Sequence, residues 1–330
     1  MIISIKRENF HGHNILKMIK VAFIGTGYMG QEHLKAFSSL KNINIVGILN
    51  KTTTRSVEVA KKFNLGFIAK NIKDLFELAK PDIVIIAVPE LNLKDVCLKA
   101  FNYNSTFLIE KPIGYNLKEA IFLKKLATKN KRKVYIGLNR RYFQSTKLAL
   151  KELKKDNSKR IINIFDQQSI LESIKNGIPK LVANNFMYAN SIHLIDYAKI
   201  FCRGKIINVE NVCDWKKNKK TLVVSKIKFS SGDIAIYQAI WNGPGPWVVS
   251  INTSKKRLEM KPLENLTLQK KGSRNIIKVN QNNSIDEEFK PGVMMQAKDL
   301  IKSFRNKQTK LPTIKDGLDT MKLIHKIYDL

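Results

Sequence analysis

From residue 18 onward, short apolar runs alternate with segments whose apolar positions recur every three or four residues. The runs at 19–24, 44–49, 66–68, 82–88, 106–109 and 133–137 read as strands. The segments at 29–40, 55–63, 72–79, 93–102 and 117–130 read as amphipathic helices. This alternation predicts a doubly wound α/β domain, a parallel sheet covered by helices on both faces. Asn116 stands where it can cap the helix at 117–130, and Pro81 ends the one that precedes Asp82.

After about residue 140 the rhythm changes. A helix at 144–154 leads into a strand at 161–169 and a helix at 188–202. Strands then follow at 205–213, 221–229, 233–241, 247–252, 256–260 and 265–270, and helices at 293–305 and 315–328 close the chain. Ser231-Gly232-Asp233 reads as a hairpin, Gly243-Pro244-Gly245-Pro246 interrupts the ladder, and Lys216 to Lys220 reads as a solvated hairpin tip. The second half is therefore expected to be an α+β domain on a large, mostly antiparallel sheet. The predicted division is an appendage at 1–17, an α/β domain at 18–139 and an α+β domain at 140–330, whose final helices can pack back on the first.

A length of 330 residues suits two domains of ordinary size, and 44% hydrophobic residues are enough for cores without a disulfide or metal staple. No apolar run approaches the roughly 18 residues of a membrane span. The first residues lack the order of a secretory signal, so a cytoplasmic protein is expected. Cys97, Cys202 and Cys213 form no CxxC pair and read as reduced thiols. His11 and His13 alone do not make a metal site, and none is expected. The net charge of +32 raises nucleic-acid binding. Lysine outnumbers arginine and is spread evenly, however, and a dedicated patch would be local, Arg-rich and interleaved with aromatics. The expected partner is a small molecule, favoured if anionic, and not a nucleic acid or a membrane.

The sharpest local signal is Gly25-Thr26-Gly27-Tyr28-Met29-Gly30, between a buried strand and a helical pattern. That setting turns a weak GxGxxG match into a dinucleotide fingerprint: Gly25 for the tight turn, Gly27 for close approach of phosphates, Gly30 for helix–strand packing. The next strand ends at Asn50-Lys51-Thr52-Thr53-Thr54-Arg55, where NAD sites usually carry a carboxylate. Asn50 would not repel a 2′-phosphate and Lys51 or Arg55 could pair with one, so NADP is favoured over NAD. Read blandly, Lys51 and Arg55 are two more surface cations.

Glu110-Lys111-Pro112 ends a later strand at the carboxyl edge, where α/β sheets bind ligands, and Pro112 leaves the Lys111 side chain free to enter the crevice. His193 lies beside the apolar helix stripe of Ile192, Ile195, Ala198 and Phe201, so by itself it reads equally as a core histidine. Asn139-Arg140-Arg141-Tyr142-Phe143 joins the two halves, with Arg141 as its candidate ligand residue or, more plainly, a basic linker. Trp241 and Trp247 read as packing or interface residues rather than substrate contacts.

Gly25-x-Gly27-x-x-Gly30-x-x-His33, Ala87-Val88-Pro89, Glu110-Lys111-Pro112 and His193-x-x-Asp196 occur in the order found in the glucose-fructose oxidoreductase, inositol dehydrogenase and rhizopine catabolism (Gfo/Idh/MocA) family, which residues 18–330 resemble. The resemblance implies a nicotinamide-dependent oxidoreductase of sugars, polyols or related compounds, assembled as a homodimer or homotetramer through its second sheet. It places Ala87, Val88, Pro89, Glu110 and Arg141 with the glycine loop around the cofactor. Lys111 and His193 would flank the reacting carbon, with Tyr142 and Asn190 at the substrate. Two positions depart from the family: Ala189 stands where Asp usually precedes the histidine by one turn, and Leu93 where a histidine often follows the strand-four proline. Asn190 is left as a neutral partner to orient His193. Reduction of a non-sugar substrate, and cofactor binding without turnover, are the competing readings.

Overall fold

The computed structural model describes residues 18–217 and 219–330; the predicted appendage, with His11 and His13, lies outside the described residues. The first sheet comprises β1 (Ile19–Ile24), β2 (Ile43–Leu49), β3 (Ile83–Ile86), β4 (Thr106–Ile109) and β5 (Val134–Ile136). They run parallel in the order β2-β1-β3-β4-β5. The central strands β3 and β4 are buried at every residue, as strands covered on both faces must be. The covering helices are α1 (Tyr28–Ser38), α2 (Thr53–Phe63), α3 (Ile72–Ala79), α4 (Glu90–Ala100) and α5 (Leu117–Lys129). Asn116 caps α5 by accepting from the Glu119 amide at 2.9 Å.

The sixth strand predicted at 66–68 does not form. Only Ile68 pairs, in an isolated parallel bridge to Ile48, and the short stretch beyond α2 makes no ladder outside β2.

The junction turn Asn139–Tyr142 leads into α6 (Gln144–Lys154) and a sheet of β6 (Ile161–Gln168), β7 (Ile206–Cys213), β8 (Leu222–Phe229), β9 (Ile234–Trp241), β10 (Val248–Asn252), β11 (Lys256–Met260), β12 (Thr267–Lys270) and β13 (Ile276–Lys278). Its order is β13-β12-β11-β10-β6-β9-β8-β7, antiparallel except that β6 and β9 run parallel. Between β6 and β7 lie α7 (Ile170–Lys175), α8 (Lys180–Ala183), a π-helical turn (Met187–Ser191) and α9 (Ile192–Phe201). The helix predicted at 188–202 thus begins as a wider turn. The chain closes with α10 (Ser284–Glu288), α11 (Val293–Phe304) and α12 (Ile314–Tyr328). Periodicity did not reveal α7, α8, α10 or β13, which have three to six residues and too few turns to establish a repeat.

α11 lies against α1, while α12 bridges α5, α9 and the second sheet. One buried apolar cluster consequently runs from Val84, Phe107 and Ile136 through Leu318 and Ile324 to Ile164 and Tyr237.

The predicted hairpin at Ser231-Gly232-Asp233 forms between β8 and β9, with Gly232 at φ +83°. Its Asp233 is fully buried and accepts from the Arg160 amide (3.0 Å), the Arg203 amide (2.9 Å), and Arg203 Nε (2.9 Å) and Nη2 (2.7 Å). The Arg203 fork and two backbone amides outweigh the cost of burial and hold its carboxyl down to about 2. Because the folded value lies below the unfolded one, this stabilisation is complete at neutral pH and fades as pH falls from about 4 toward 2. Asp233→Ala should therefore cost about 3 kcal/mol in denaturant titrations at pH 7, and much less near pH 2.

Candidate active site

β1 has β2 on one side and β3 on the other, so the order of strands reverses beside its carboxyl end. Crevices form at such points in open parallel sheets. A cleft of about 980 Å³ opens there, lined by Gly25, Thr26, Gly27, Asn50, Lys51, Arg55, Ala87, Val88 and Pro89. All nine are sequence-predicted cofactor residues. Sequence reasoning missed Asn71, Lys73, Asn92, Lys99, Asn102 and Tyr103, which also line the cleft from α3 and α4; no motif marks them.

The glycine loop is tightly constrained. Gly25 has φ +84°, and a Cβ there would lie 2.5 Å from the Ala87 carbonyl oxygen. A Cβ on Gly30 would lie 2.2 Å from the carbonyl oxygen of Gly25, so Gly30 lets α1 close onto the turn. Gly27 caps α1 without a side-chain acceptor, and the first turn carries no acidic residue, leaving its N–H groups for an anion. Asn50 pins the loop: its Oδ1 accepts from the Thr26 amide at 2.7 Å and its Nδ2 donates to Thr26 Oγ1 at 2.8 Å. Lys51, Arg55, Lys73 and Lys99 line the cleft, and no carboxylate does. An elongated, cation-rimmed cleft with glycine backbone at its centre fits a phosphate-bridged dinucleotide.

The other predicted residues are distributed as follows. Tyr28 stands two-thirds exposed at the start of α1, its ring under the Lys290 ammonium at 4.9 Å, and Met29 packs against the cluster around Phe23 and Phe37. Glu110 turns inward, with Oε1 2.7 Å from His33 Nε2 and Oε2 accepting from the Lys111 amide at 3.2 Å. The cis peptide between Lys111 and Pro112 follows. Lys111 crosses to the second half, where Nζ donates to the carbonyl oxygen of Ala189 at 2.8 Å. Burial lowers the Lys111 pKa, with Glu110 opposing the shift.

His193 is buried near the start of α9, and its Nδ1 has no hydrogen-bond partner. Burial, then Arg140, Lys111 and Lys290, hold it well below the ordinary histidine value of 6.5. The imidazole is thus neutral at pH 7.

Three of the predicted residues make other contacts in this structure. Asn190 does not orient His193: its Nδ2 donates to Gln168 Oε1 at 2.9 Å, because the π turn alters the angular offset expected of an α-helix. Arg141 forks onto Asp196 through Nε and Nη2 at 2.6 and 2.7 Å. Tyr142 donates to Asp299 Oδ2 at 3.1 Å and lines a separate 380 Å³ cavity with Lys147 and Leu150.

Residues 19–138 match the family model described as oxidoreductase family, NAD-binding Rossmann fold (GFO_IDH_MocA). The Rossmann domain belongs to the Gfo/Idh/MocA oxidoreductase family. Glucose-6-phosphate 3-dehydrogenase of Bacillus subtilis (strain 168) is 29% identical over 125 residues, 38% of this chain and 35% of that protein. The match therefore spans about a third of that relative's length. Among solved structures, UDP-N-acetylglucosamine 3-dehydrogenase GnnA from Acidithiobacillus ferrooxidans aligns with a TM-score of 0.75 at 16% identity, covering 94% of this chain and 97% of that one. Levoglucosan dehydrogenase in complex with NADH gives 0.77 at 14% identity, covering 94% and 96%. At such identity these two likenesses establish the two-domain fold, and the Gfo/Idh/MocA assignment rests on the first domain.

The steric limits at Gly25 give a direct check. Gly25→Ala forces a side chain into both a left-handed φ and the Ala87 carbonyl. NADPH affinity, followed by fluorescence titration, should fall at least about tenfold, with a stability loss of about 1–3 kcal/mol.

Proposed function

We propose that the protein is a nicotinamide-dependent dehydrogenase or reductase acting on a hydroxyl or carbonyl carbon of a sugar derivative, with NADP as its preferred cofactor. The observation that carries this reading is the meeting of Lys111 and the helical segment before His193. They come from opposite halves of the chain and are joined by the 2.8 Å bond from Lys111 Nζ to the Ala189 carbonyl. A nicotinamide, when bound, supplies the site that accepts or donates hydride. In alcohol oxidation, neutral His193 takes the hydroxyl proton as the carbon–oxygen double bond forms. In reduction, the protonated imidazole returns it. Lys111 spends one of its three N–H groups on Ala189 and has two left to hold the substrate oxygen and stabilise charge there. The related proteins named above act on phosphorylated, nucleotide-linked and anhydro sugars according to their names, which supports a sugar derivative here.

The preference for a 2′-phosphate rests on Lys51 and Arg55 beside the pinned Asn50, in a cleft with no carboxylate among its lining residues. Self-association through the second sheet is part of the same reading. α9 and α12 cover one face of that sheet, while Ile161, Phe165, Leu222 and Ile240 are exposed on its strands. Among the described residues no helix is long and apolar enough to cross a membrane.

Titration should give NADPH binding about tenfold or more tighter than NADH, and Lys51→Ala combined with Arg55→Ala should bring the two within about threefold. Tighter binding of NADH by the unaltered protein would reject the 2′-phosphate assignment.

Lys111→Met and His193→Ala should each lower turnover by about 10²-fold or more, with dinucleotide affinity nearly unchanged. Since His193 is held below 6.5, the acidic limb of the pH–rate profile for oxidation should lie below that pH. Ala189→Asp, by restoring an anion beside the ring, should move the limb upward. Normal turnover by both single variants would remove Lys111 and His193 from the proposed chemistry.

A further inference from the structure

Four other arginines donate through their side chains to acceptors within the fold. Arg132 donates to the Phe101 carbonyl, Arg141 to Asp196, Arg160 to the Phe201 carbonyl, and Arg203 to Asp233. Arg160 Nε is buried without a partner, but its other two guanidinium nitrogens are bonded; for Arg140, Nη1 is buried without a partner and no hydrogen bond from its guanidinium is found among the described residues. Its guanidinium carbon lies 4.3 Å from the centroid of the Trp247 ring, and that indole is itself fixed by donating to the Gln167 carbonyl at 2.9 Å. The turn bearing Arg140 is anchored in turn by Asn139 Nδ2, which donates to the Pro291 carbonyl at 3.0 Å. The guanidinium plane is therefore held by stacking, while its edge lacks an acceptor. His193 Nδ1, on which Arg140 acts electrostatically, also lacks one.

We propose that Arg140 is the anchor for an anionic group on the substrate, so that the sugar derivative carries a carboxylate or a phosphate; this rests on the oxidoreductase reading above. A guanidinium edge matches two oxygens of either group, whereas an ammonium offers only a point charge. A buried donor without an acceptor costs about 1–3 kcal/mol, which an incoming anion relieves and a neutral hydroxyl relieves only in part. The local charge agrees. Beyond the effect of burial, which lowers His193 most, Arg140, Lys111 and Lys290 all act on it in the same direction, and no carboxylate is among the groups that act on it. Glu110, the first countercharge of Lys111, is already bonded to His33. Glu264 and Asp166 act on Arg140, and neither hydrogen-bonds to its guanidinium.

The test is calorimetric titration of the NADP+-saturated protein with D-glucuronate, D-glucose 6-phosphate and D-glucose. One of the anionic sugars should bind about tenfold or more tighter than glucose, and which one does so tells carboxylate from phosphate. Arg140→Met should shrink that difference to within about threefold, with NADP+ affinity and melting temperature unchanged. Arg140→Lys, which keeps the charge and loses the fork, should shrink it at least about threefold and serves if the methionine variant does not fold. The anchor is overturned if neither anion binds tighter than glucose, or if the preference survives both substitutions. NADPH absorbance separates the two levels. Anion preference without NADPH formation leaves the anchor standing and removes the oxidoreductase reading; NADPH formation from glucose with no anion preference does the reverse.

Discussion

One buried carboxylate locks three distant elements together beside His193. Asp196 on α9 accepts the Arg141 fork from the junction turn at 2.6 and 2.7 Å, and its Oδ1 also accepts from Thr320 Oγ1 on α12 at 2.9 Å. Burial raises the cost of that charge, and the guanidinium beside it reverses the balance, holding the carboxyl below its usual range. Removing one partner of such a desolvated pair costs about 3–5 kcal/mol, because the other is left charged and unpaired. The pair also fixes the rotation of α9, and His193 stands three residues earlier on the same helix. α12 is secured at its own start by the Thr313–Asp316 capping box and lies against α5, so the clamp connects the second half to the first sheet. The order of dependence thus runs from an ion pair with no chemistry of its own to the placement of the imidazole.

A second constraint is electrostatic. The carboxylates nearest the crevice are consumed by structure: Glu110 by His33, Asp196 by Arg141, and Asp166 by Tyr237 and Gln168. Its cations are not consumed in the same way, since Lys111 meets only a neutral carbonyl and Arg140 meets an aromatic face. The positive field is therefore built into the fold and is distinct from the diffuse lysine charge that gives the chain its net +32. Salt screens the diffuse charge far more effectively than it screens the buried groups.

The sequence made these features legible to different degrees. The glycine loop could be read because Gly25 and Gly30 meet local steric demands within a strand–turn–helix unit, and Lys111 because it stands at the end of a buried strand. The roles of Arg141, Tyr142 and Asn190 could not. Arg141 finds its partner 55 residues away and Tyr142 finds its own 157 residues away, distances over which periodicity carries no information. Asn190 was placed by assuming α-helical spacing, and a five-residue π turn breaks that assumption. The strand at 66–68 failed for a related reason: the triplet has the composition of a strand, but its pairing with β2 stops at the single bridge between Ile68 and Ile48. Arg140 passed unnoticed beside Arg141 because the two share a sequence setting and differ only in what the fold places near them.

In the proposed chemistry, the absence of a carboxylate at 189 leaves His193 without an anion one turn before it to support an imidazolium. Asp166 does not replace it: Gln168 Nε2 donates to its Oδ1 at 2.7 Å, and Gln168 Oε1 accepts from Asn190, so its influence is relayed to the π turn and stops short of the ring. Burial first, and then the three cations acting on it, make His193 a weak base in the free protein. An anionic substrate group at Arg140 would offset part of that field and raise the basicity of His193 at the moment it is needed. Substrate charge and proton affinity would then be coupled through one residue. Under this arrangement a neutral analogue is disadvantaged twice, first in occupying the crevice and then in losing its proton, so discrimination enters turnover as well as binding.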